Sequence, residues 1–330
     1  MSNRKRFETM QKTIRQSHRR EVSTMSKTND EIIAIFVADI HLQHNPPIWR
    51  SAEEDWYDAM RRPLLELTKL KQKHNCPIIC AGDVFDKWNS PPELINFAAC
   101  YMPQMIAIPG QHDLPQHNYE DIMKSAYWTL VNIGVVKTMD IKNSVVRINN
   151  VILHAFPFGS KIKKQTENTD EGDIHIAIAH EYIHMKGHSY PGAPEENKYS
   201  PTKANASGYN IIVYGDNHKG FKSQTSKSTV FNCGTFMRRK SDEINYKPQV
   251  GLLRADGEIE VHYLDTSQDR YISAREDVVE EEMDMGEFIE ELEKLGNTAL
   301  DFTEAMKQFF KTHKTIKEVK QIILKAMETK

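Results

Sequence analysis

Asp39 and His41 stand two residues apart at the end of the apolar run 32–41, IIAIFVADIH. A carboxylate and an imidazole in that spacing are oxygen and nitrogen ligands suited to a divalent cation. One such pair is weak, because a turn or a cap produces it as easily. The ending recurs, however. Asp83 lies in Gly82-Asp83-Val84-Phe85-Asp86 and Gln111 with His112 in Gly110-Gln111-His112-Asp113; His180 follows another apolar run, and Asp216 with His218 lie in Gly215-Asp216-Asn217-His218. A glycine followed by Asp is by itself usually a turn, but five such endings in succession point to one shared site. A pair of divalent ions sharing a carboxylate explains them together: it activates a water and steadies a phosphoryl group during in-line displacement.

Such residues need strands to present them. The first seven residues of 32–41 are apolar without alternation, which predicts a strand buried on both faces, as in a parallel α/β sheet. Ligands of such sheets sit beyond the carboxyl ends of the strands. Over 51–73, Trp56, Met60, Leu64, Leu67 and Leu70 recur at helical spacing, and Pro63 is expected to kink or split that helix. A short strand over 77–81 leads into Gly82-Asp83, Pro91 and Pro92 open a helix over 93–101, and a strand over 105–109 leads into Gly110. A β-α-β-α-β order therefore runs through residue 109. Strands then follow closely at 135–139, 144–148, 151–156, 174–179, 211–214, 229–232, 250–254 and 258–264, with Asp256-Gly257 as a hairpin turn between the last two. Residues 187–208, rich in Pro, Ser and Asn, read as loop. The expected fold is α/β, two sheets in a sandwich flanked by helices.

The chain has 330 residues and a net charge of −3, so a polyanion would have to be met by a local patch or by bound metal. No apolar run is long enough for a membrane span, and the N-terminus lacks the apolar core of a signal peptide. Cys76, Cys80, Cys100 and Cys233 form no C-x-x-C pair and read as reduced thiols, so a cytoplasmic protein is expected. Three regions follow: a basic polar extension over 1–30, the metal-binding domain over 31–270, and a helical region over 271–330. The extension reads either as an arm touching phosphates or as a solvated tail. In the last region Thr315-x-x-Glu318 caps an apolar stripe of Ile316, Val319, Ile322, Ile323 and Met327, which docks a partner or folds back on its own domain.

The strand endings resemble the set D-x-H, G-D-x-x-D, G-N-H-D, a lone His and G-H-x-H of the calcineurin-like metallophosphoesterases, whose fold is an αββα sandwich. Ala81-Gly82-Asp83-Val84-Phe85-Asp86 followed by Ser90-Pro91-Pro92 is similar to the SbcD-type nuclease subunits within that group, and the resemblance covers roughly residues 31–265. It implies two divalent ions, Mn²⁺ or else Mg²⁺. Asp83 bridges them, Asp39, His41 and His218 hold the first, and Gln111, His180 and Asp216 hold the second. His112 is implied as the unligated imidazole that protonates the leaving oxygen, with Asp113 orienting it. The implied substrate is DNA, cut as an exonuclease or endonuclease. The implied partner is an SbcC-like SMC-type ATPase, with a homodimer compatible, no membrane, and a bacterial cell or phage-infected host as the setting.

Two positions depart from that pattern. Gln111 stands for the usual Asn, which keeps the amide oxygen on a longer stem. Asp216 stands for the first His of G-H-x-H, which puts a hard oxygen for a nitrogen and favours Mn²⁺ or Mg²⁺ over Zn²⁺. Three carboxylates against two divalent ions still leave the site positive for a phosphodiester. Arg238-Arg239-Lys240 reads as a phosphate grip or as a solvated basic turn. Other readings are a phosphatase or small-nucleotide diesterase, a non-catalytic subunit of an ATPase complex, and a zinc protease from His180-Glu181-Tyr182-Ile183-His184. The protease needs both His on one helix face, whereas Ile174, Ile176 and Ile178 have strand spacing.

Overall fold

β1 (Ile32–Val37) is buried along its whole length. Ile32, Ile35 and Val37 face a core shared with helices, while Ile33, Ala34 and Phe36 face a second core between two sheets. Its pairing register shifts between Ile32 and Ala34, and this irregularity lets neighbouring Ile33 and Ala34 face the same core. The computed structural model describes residues 30–166, 170–190 and 193–272. The chain divides into two units at residues 272 and 273. Of the extension expected over 1–30 and the appendage expected over 271–330, residues 1–29 and 273–330 lie outside the described residues.

After β1 come α1 (Trp56–His74), β2 (Ile78–Cys80), α2 (Pro92–Tyr101), β3 (Met105–Ala107), α3 (Ala126–Asn132) and β4 (Val136–Thr138). The chain continues through β5 (Val145–Ile148), β6 (Val151–Phe156), β7 (Ile174–His180), α4 (Pro201–Ser207) and β8 (Ile211–Gly215). It ends in β9 (Phe221–Gln224), β10 (Thr229–Asn232), β11 (Gln249–Arg254) and β12 (Ile259–Tyr263).

Two six-stranded sheets result among the described residues, in the orders β12-β11-β1-β2-β3-β4 and β5-β6-β7-β8-β10-β9. In the first, β1 to β4 are parallel and β11 and β12 join antiparallel. In the second, β6, β7, β8 and β10 are parallel, flanked by antiparallel β5 and β9. Leu64 and Leu67 of α1, Phe97 of α2 and Tyr127 of α3 cover the outer face of the first sheet. Leu153, Ile176, Val213 and Phe231 fill the space between the sheets. Ala204 of α4, Tyr209, Tyr214 and Val230 form a third core on the far side. The expected αββα sandwich is what the chain forms.

Two local expectations are corrected. α1 runs unbroken for 19 residues with Pro63 inside it. Proline removes one backbone hydrogen bond, but Met60, Leu64 and Leu67 on either side are fully buried and hold both halves in one core. Within the stretch read as loop, Ser200 caps α4 by accepting from the Lys203 N–H at 3.3 Å, and Gly208 ends it in the left-handed region. β9 and α3 had no counterpart in the sequence reading. Among the described residues no helix is long and apolar enough to cross a membrane.

Candidate metal centre

β1, β2, β3, β7 and β8 all end at one rim where the two sheets face each other, and their last residues leave the strands in unusual conformations. Asp39, His41, Asp83 and Asp216 have φ of 51°, 47°, 54° and 79°. Left-handed backbone costs a non-glycine residue roughly 1–2 kcal/mol, so packing must hold it. The strand-end loops hold each other: the N–H groups of Asp39, His41 and Leu42 donate to the carbonyls of Gly82, Asp83 and Val84 at 2.9 to 3.0 Å. The Asp216 N–H donates to both Asp39 carboxylate oxygens, at 3.1 and 3.2 Å. Gly110 is needed because a Cβ there would lie 2.1 Å from Asp83 Oδ1.

Three sets of side chains bring their ligand atoms within 4.8 Å of one another: Asp39, His41 and His218; His41, Asp83 and His112; Asp39, Asp83 and His180. Asp83 lies between the last two sets. Its Oδ2 is 3.6 Å from His41 Nε2 and 3.4 Å from His180 Nε2, while Oδ1 accepts from the His112 N–H at 2.9 Å. His41 and His218 oppose each other through their Nε2 atoms at 3.0 Å.

The donor set fits divalent cations. His180 Nδ1 lies 2.6 Å from the Ala81 carbonyl, which can only accept, so Nδ1 carries a hydrogen and the neutral ring presents the Nε2 lone pair to Asp83 Oδ2. Both atoms are buried without a hydrogen-bond partner, as are His41 Nδ1 and Gln111 Oε1. Lone pairs facing lone pairs in a buried site demand positive charge between them. The electrostatics agree. Burial disfavours an imidazolium at His180, yet the Asp83 carboxylate, with Asp39 and Asp216, pushes its pKa up to about 10. Burial pushes the Asp39 carboxyl up to about 6 against the pull of His218 and His180. At His41, burial and then the Arg239 charge hold the imidazole well below its ordinary value.

Asp216 stands outside the three tight sets. The Gln111 amide nitrogen donates to Asp216 Oδ1 at 2.7 Å, leaving Oε1 unpartnered. His112, expected to be unligated, does lie in one of the sets, with its ring edge-on to His41 at a centroid distance of 4.9 Å. Its Nδ1 is 2.8 Å from the Asp86 carbonyl.

That contact corrects the role expected of Asp113. Its carboxylate accepts from the N–H groups of Val84, Phe85 and Gly110 at 3.0 to 3.2 Å and so ties two strand-end loops together. Burial, reinforced by the Asp83 charge, pushes it up to about 7. The Asp86 carbonyl, not Asp113, orients the His112 ring.

The basic triplet is also corrected. Arg239 is buried and donates to Asp86 Oδ1 at 2.7 Å; Arg238 pairs with Asp269 at 2.9 Å and donates to the Thr266 carbonyl at 2.8 Å. Both guanidiniums are internal ties. Lys240 alone of the three is exposed and has no ion-pair partner among the described residues. The protease spacing fails as its geometry required: β7 ends at His180, Glu181 pairs with Lys161, and His184 Nε2 lies 3.0 Å from the Pro194 carbonyl with no helix around it.

Glu243 had no signal in the sequence. Its Oε1 lies 3.7 Å from His218 Nδ1 and its Oε2 accepts from the Lys240 N–H at 2.9 Å. Burial opposes its ionisation, but the His218 contact and two backbone N–H groups hold it at about 2. It thus backs the His218 ring, as carboxylates behind metal-binding imidazoles do. A cavity of about 740 Å³ opens off this centre, lined by Gln111, His112, Asp216 and His218 together with tyrosines and lysines.

Residues 34–220 match the profile of the family described as Calcineurin-like phosphoesterase. Among solved structures the chain is similar to an archaeal phosphodiesterase, at 13% identity and a TM-score of 0.37, over 70% of this chain and 99% of that one. It is also similar to a metallophosphoesterase from Sphaerobacter thermophilus, at 11% identity and a TM-score of 0.34, over 71% and 88% of the two chains. No curated protein matches. With more than half of its length matched and a buried carboxylate–imidazole cluster at the rim of a two-sheet sandwich, this chain belongs to the calcineurin-like phosphoesterases, metal-dependent hydrolases of phosphoesters.

Proposed function

We propose that the protein is a DNA phosphodiesterase of the SbcD type, using two divalent ions, Mn²⁺ before Mg²⁺. The observation that supports a polymeric substrate is the cavity of about 740 Å³ opening off the cluster, with Lys219 and Lys240 in its wall. A lone phosphate needs far less room, and the lysines suit flanking phosphates.

In this reading Asp83 would serve both ions. Asp39, His41 and His218 would hold the first; Gln111 Oε1, His180 Nε2 and Asp216 would hold the second. When bound, the ions neutralise charge on the phosphoryl group and lower the pKa of the attacking water. The chain does the rest. The Asp86 carbonyl can only accept, so His112 Nδ1 carries a hydrogen and Nε2 is the atom that passes a proton to the leaving oxygen. Asp113 holds the loops that carry Asp83 and His112, and Glu243 holds the His218 ring.

The same ligand set serves a phosphatase or a small-nucleotide phosphodiesterase, and the cavity also has room for a nucleotide. The test is degradation of linear DNA with Mn²⁺, with and without chelator, beside turnover of a phosphate monoester. Chelator-sensitive cutting of DNA is expected. Intact DNA with rapid monoester turnover gives the site to the phosphatase reading.

The proposed partner is an SbcC-like ATPase docked on residues 271–330, whose apolar stripe suits a helix-in-groove contact. Removal of 273–330 should abolish binding to such a subunit and preserve Mn²⁺-dependent cleavage. Retained binding would place the contact elsewhere.

A further inference from the structure

We infer that Tyr190, backed by Tyr182, is a base-stacking subsite beside the metal centre, so that the substrate enters with an unpaired nucleobase next to the scissile phosphate. The inference rests on the phosphodiesterase reading and names what that reading leaves open, the state of the nucleic acid at the site.

Both tyrosines line the cavity into which Gln111, His112, Asp216 and His218 face. Tyr190 is half exposed, whereas large apolar side chains of this fold are mostly buried. Its ring lies 5.2 Å from that of Tyr182, and Tyr182 lies 5.9 Å from His184. His184 is fixed from three sides: Nε2 on the Pro194 carbonyl, its N–H on the Asn197 carbonyl, and its own carbonyl accepting from Tyr199. A run of tilted ring contacts, with interplanar angles of 39° and 51°, therefore leads from an anchored imidazole out to a half-exposed phenol ring. That is a supported aromatic ring, half exposed in the cavity wall. Tyrosine offers such a face with few rotatable bonds to immobilise.

The chemistry of the wall selects the ligand. Lys240 is exposed, has no ion-pair partner among the described residues, and has its backbone fixed by Glu243. A cation, an aromatic face and a phosphoryl-transfer centre around one cavity match a phosphate, a base and a scissile diester. A base within a duplex has both faces covered by its neighbours, so only an unpaired or frayed nucleotide can stack there.

The test uses the full-length Mn²⁺-loaded protein and two single-stranded substrates of equal length. One is an oligothymidylate; the other carries abasic residues around the cleavage position, so its phosphates are the same and its bases absent. The expected result is a kcat/KM for the thymidylate roughly tenfold or more above that for the abasic strand, the usual worth of one stacked base. Tyr190→Ala should bring that ratio towards one, and Tyr190→Phe and Tyr190→Trp should keep it. Loss of fold in Tyr190→Ala would lower both rates and leave the ratio, and Tyr190→Phe and Tyr190→Trp then carry the comparison. A wild-type ratio near one, or a ratio unchanged in Tyr190→Ala while the abasic-strand rate stays at its wild-type value, overturns the subsite. Failure to cut either strand while a phosphate monoester is turned over overturns the diesterase reading itself.

Discussion

Gln111 and Asp216, the two positions that depart from the common family pattern, are hydrogen-bonded to each other, the amide nitrogen donating to Oδ1 at 2.7 Å. The departures are thus one paired change. Asp216 supplies the acceptor that turns the longer Gln111 amide, and the amide oxygen is left as the unpartnered atom. A His at 216 would remove the carboxylate acceptor, and an Asn at 111 would have a shorter reach.

The pair should therefore behave as a unit. Asp216→Asn keeps an oxygen but removes charge, so the second ion should bind more weakly while the first stays. Asp216→His should shift preference from Mn²⁺ towards Zn²⁺ or Co²⁺, and adding Gln111→Asn should alter second-site affinity non-additively, by about 0.5–3 kcal/mol. Calorimetric titration of Mn²⁺ and Zn²⁺ into each variant measures this. Strict additivity, with unchanged stoichiometry and metal ranking throughout, would remove both residues from the ligand set.

Metal removal should cost stability as well as activity. His180 Nε2 and Asp83 Oδ2 face each other at 3.4 Å, and a neutral His180 with its hydrogen on Nδ1 leaves two lone pairs opposed there. An ion at a hundred times its dissociation constant adds about 2.7 kcal/mol per site. Tm should rise with Mn²⁺ and fall with chelator. A Tm indifferent to both would mean that protonated His180 satisfies the cluster alone.

His112→Ala should retain both ions and lose about 10²–10⁴-fold in rate, the range for general acid–base catalysis. Metal content and kcat are measured on the same preparation. Loss of an ion would make His112 a ligand, as its place in one of the tight sets allows.

The two neighbours Arg239 and Lys240 should differ in kind. Arg239→Ala strips the partner from Asp86 inside the fold and should destabilise by about 3 kcal/mol, since breaking a buried pair is expensive. Lys240→Ala should leave Tm alone and raise KM for DNA, with a flatter salt dependence. Equal effects of both on KM, with Tm intact, would return Arg239 to the substrate surface.

Glu53 gives a pH signature away from the metal centre. It accepts from Arg62 at 3.2 Å and from the Arg270 N–H at 2.8 Å, and it also pairs with Arg50. Burial opposes its charge, but these donors hold its pKa below the ordinary 4.5. A carboxyl lowered in the folded state contributes stability that is present above its unfolded pKa and lost as pH falls through the folded one. The gap in unfolding free energy between wild type and Glu53→Gln should be constant near neutrality and shrink below about pH 4.5. A gap that holds to lower pH would show that Glu53 acts through packing.

The strands and their endings were legible because both follow from local chemistry. An apolar run such as 32–38 can satisfy its backbone and side chains only inside a sheet, and the polar residues that stop it mark the rim. Asp39, His41, Asp83, His180 and His218 could be read as one centre on that basis. Contacts made across the fold could not. Arg239 belongs to Asp86, 153 positions away in the chain, and Arg238 to Asp269; as letters, three basic residues in a row look the same whether they face solvent or a buried carboxylate. The orientation of His112 passed from the adjacent Asp113 to a backbone carbonyl, which no side-chain pattern encodes. Glu243 reached His218 only because a loop with no motif folds back over the centre. Sequence alone determined which side chains are chemically able to hold metal, since residue type and strand endings are local. Tertiary structure decided which charges were neutralised, which lone pairs were left facing each other, and which ring was left open to the cavity, because burial and partner distance are properties of the packed chain.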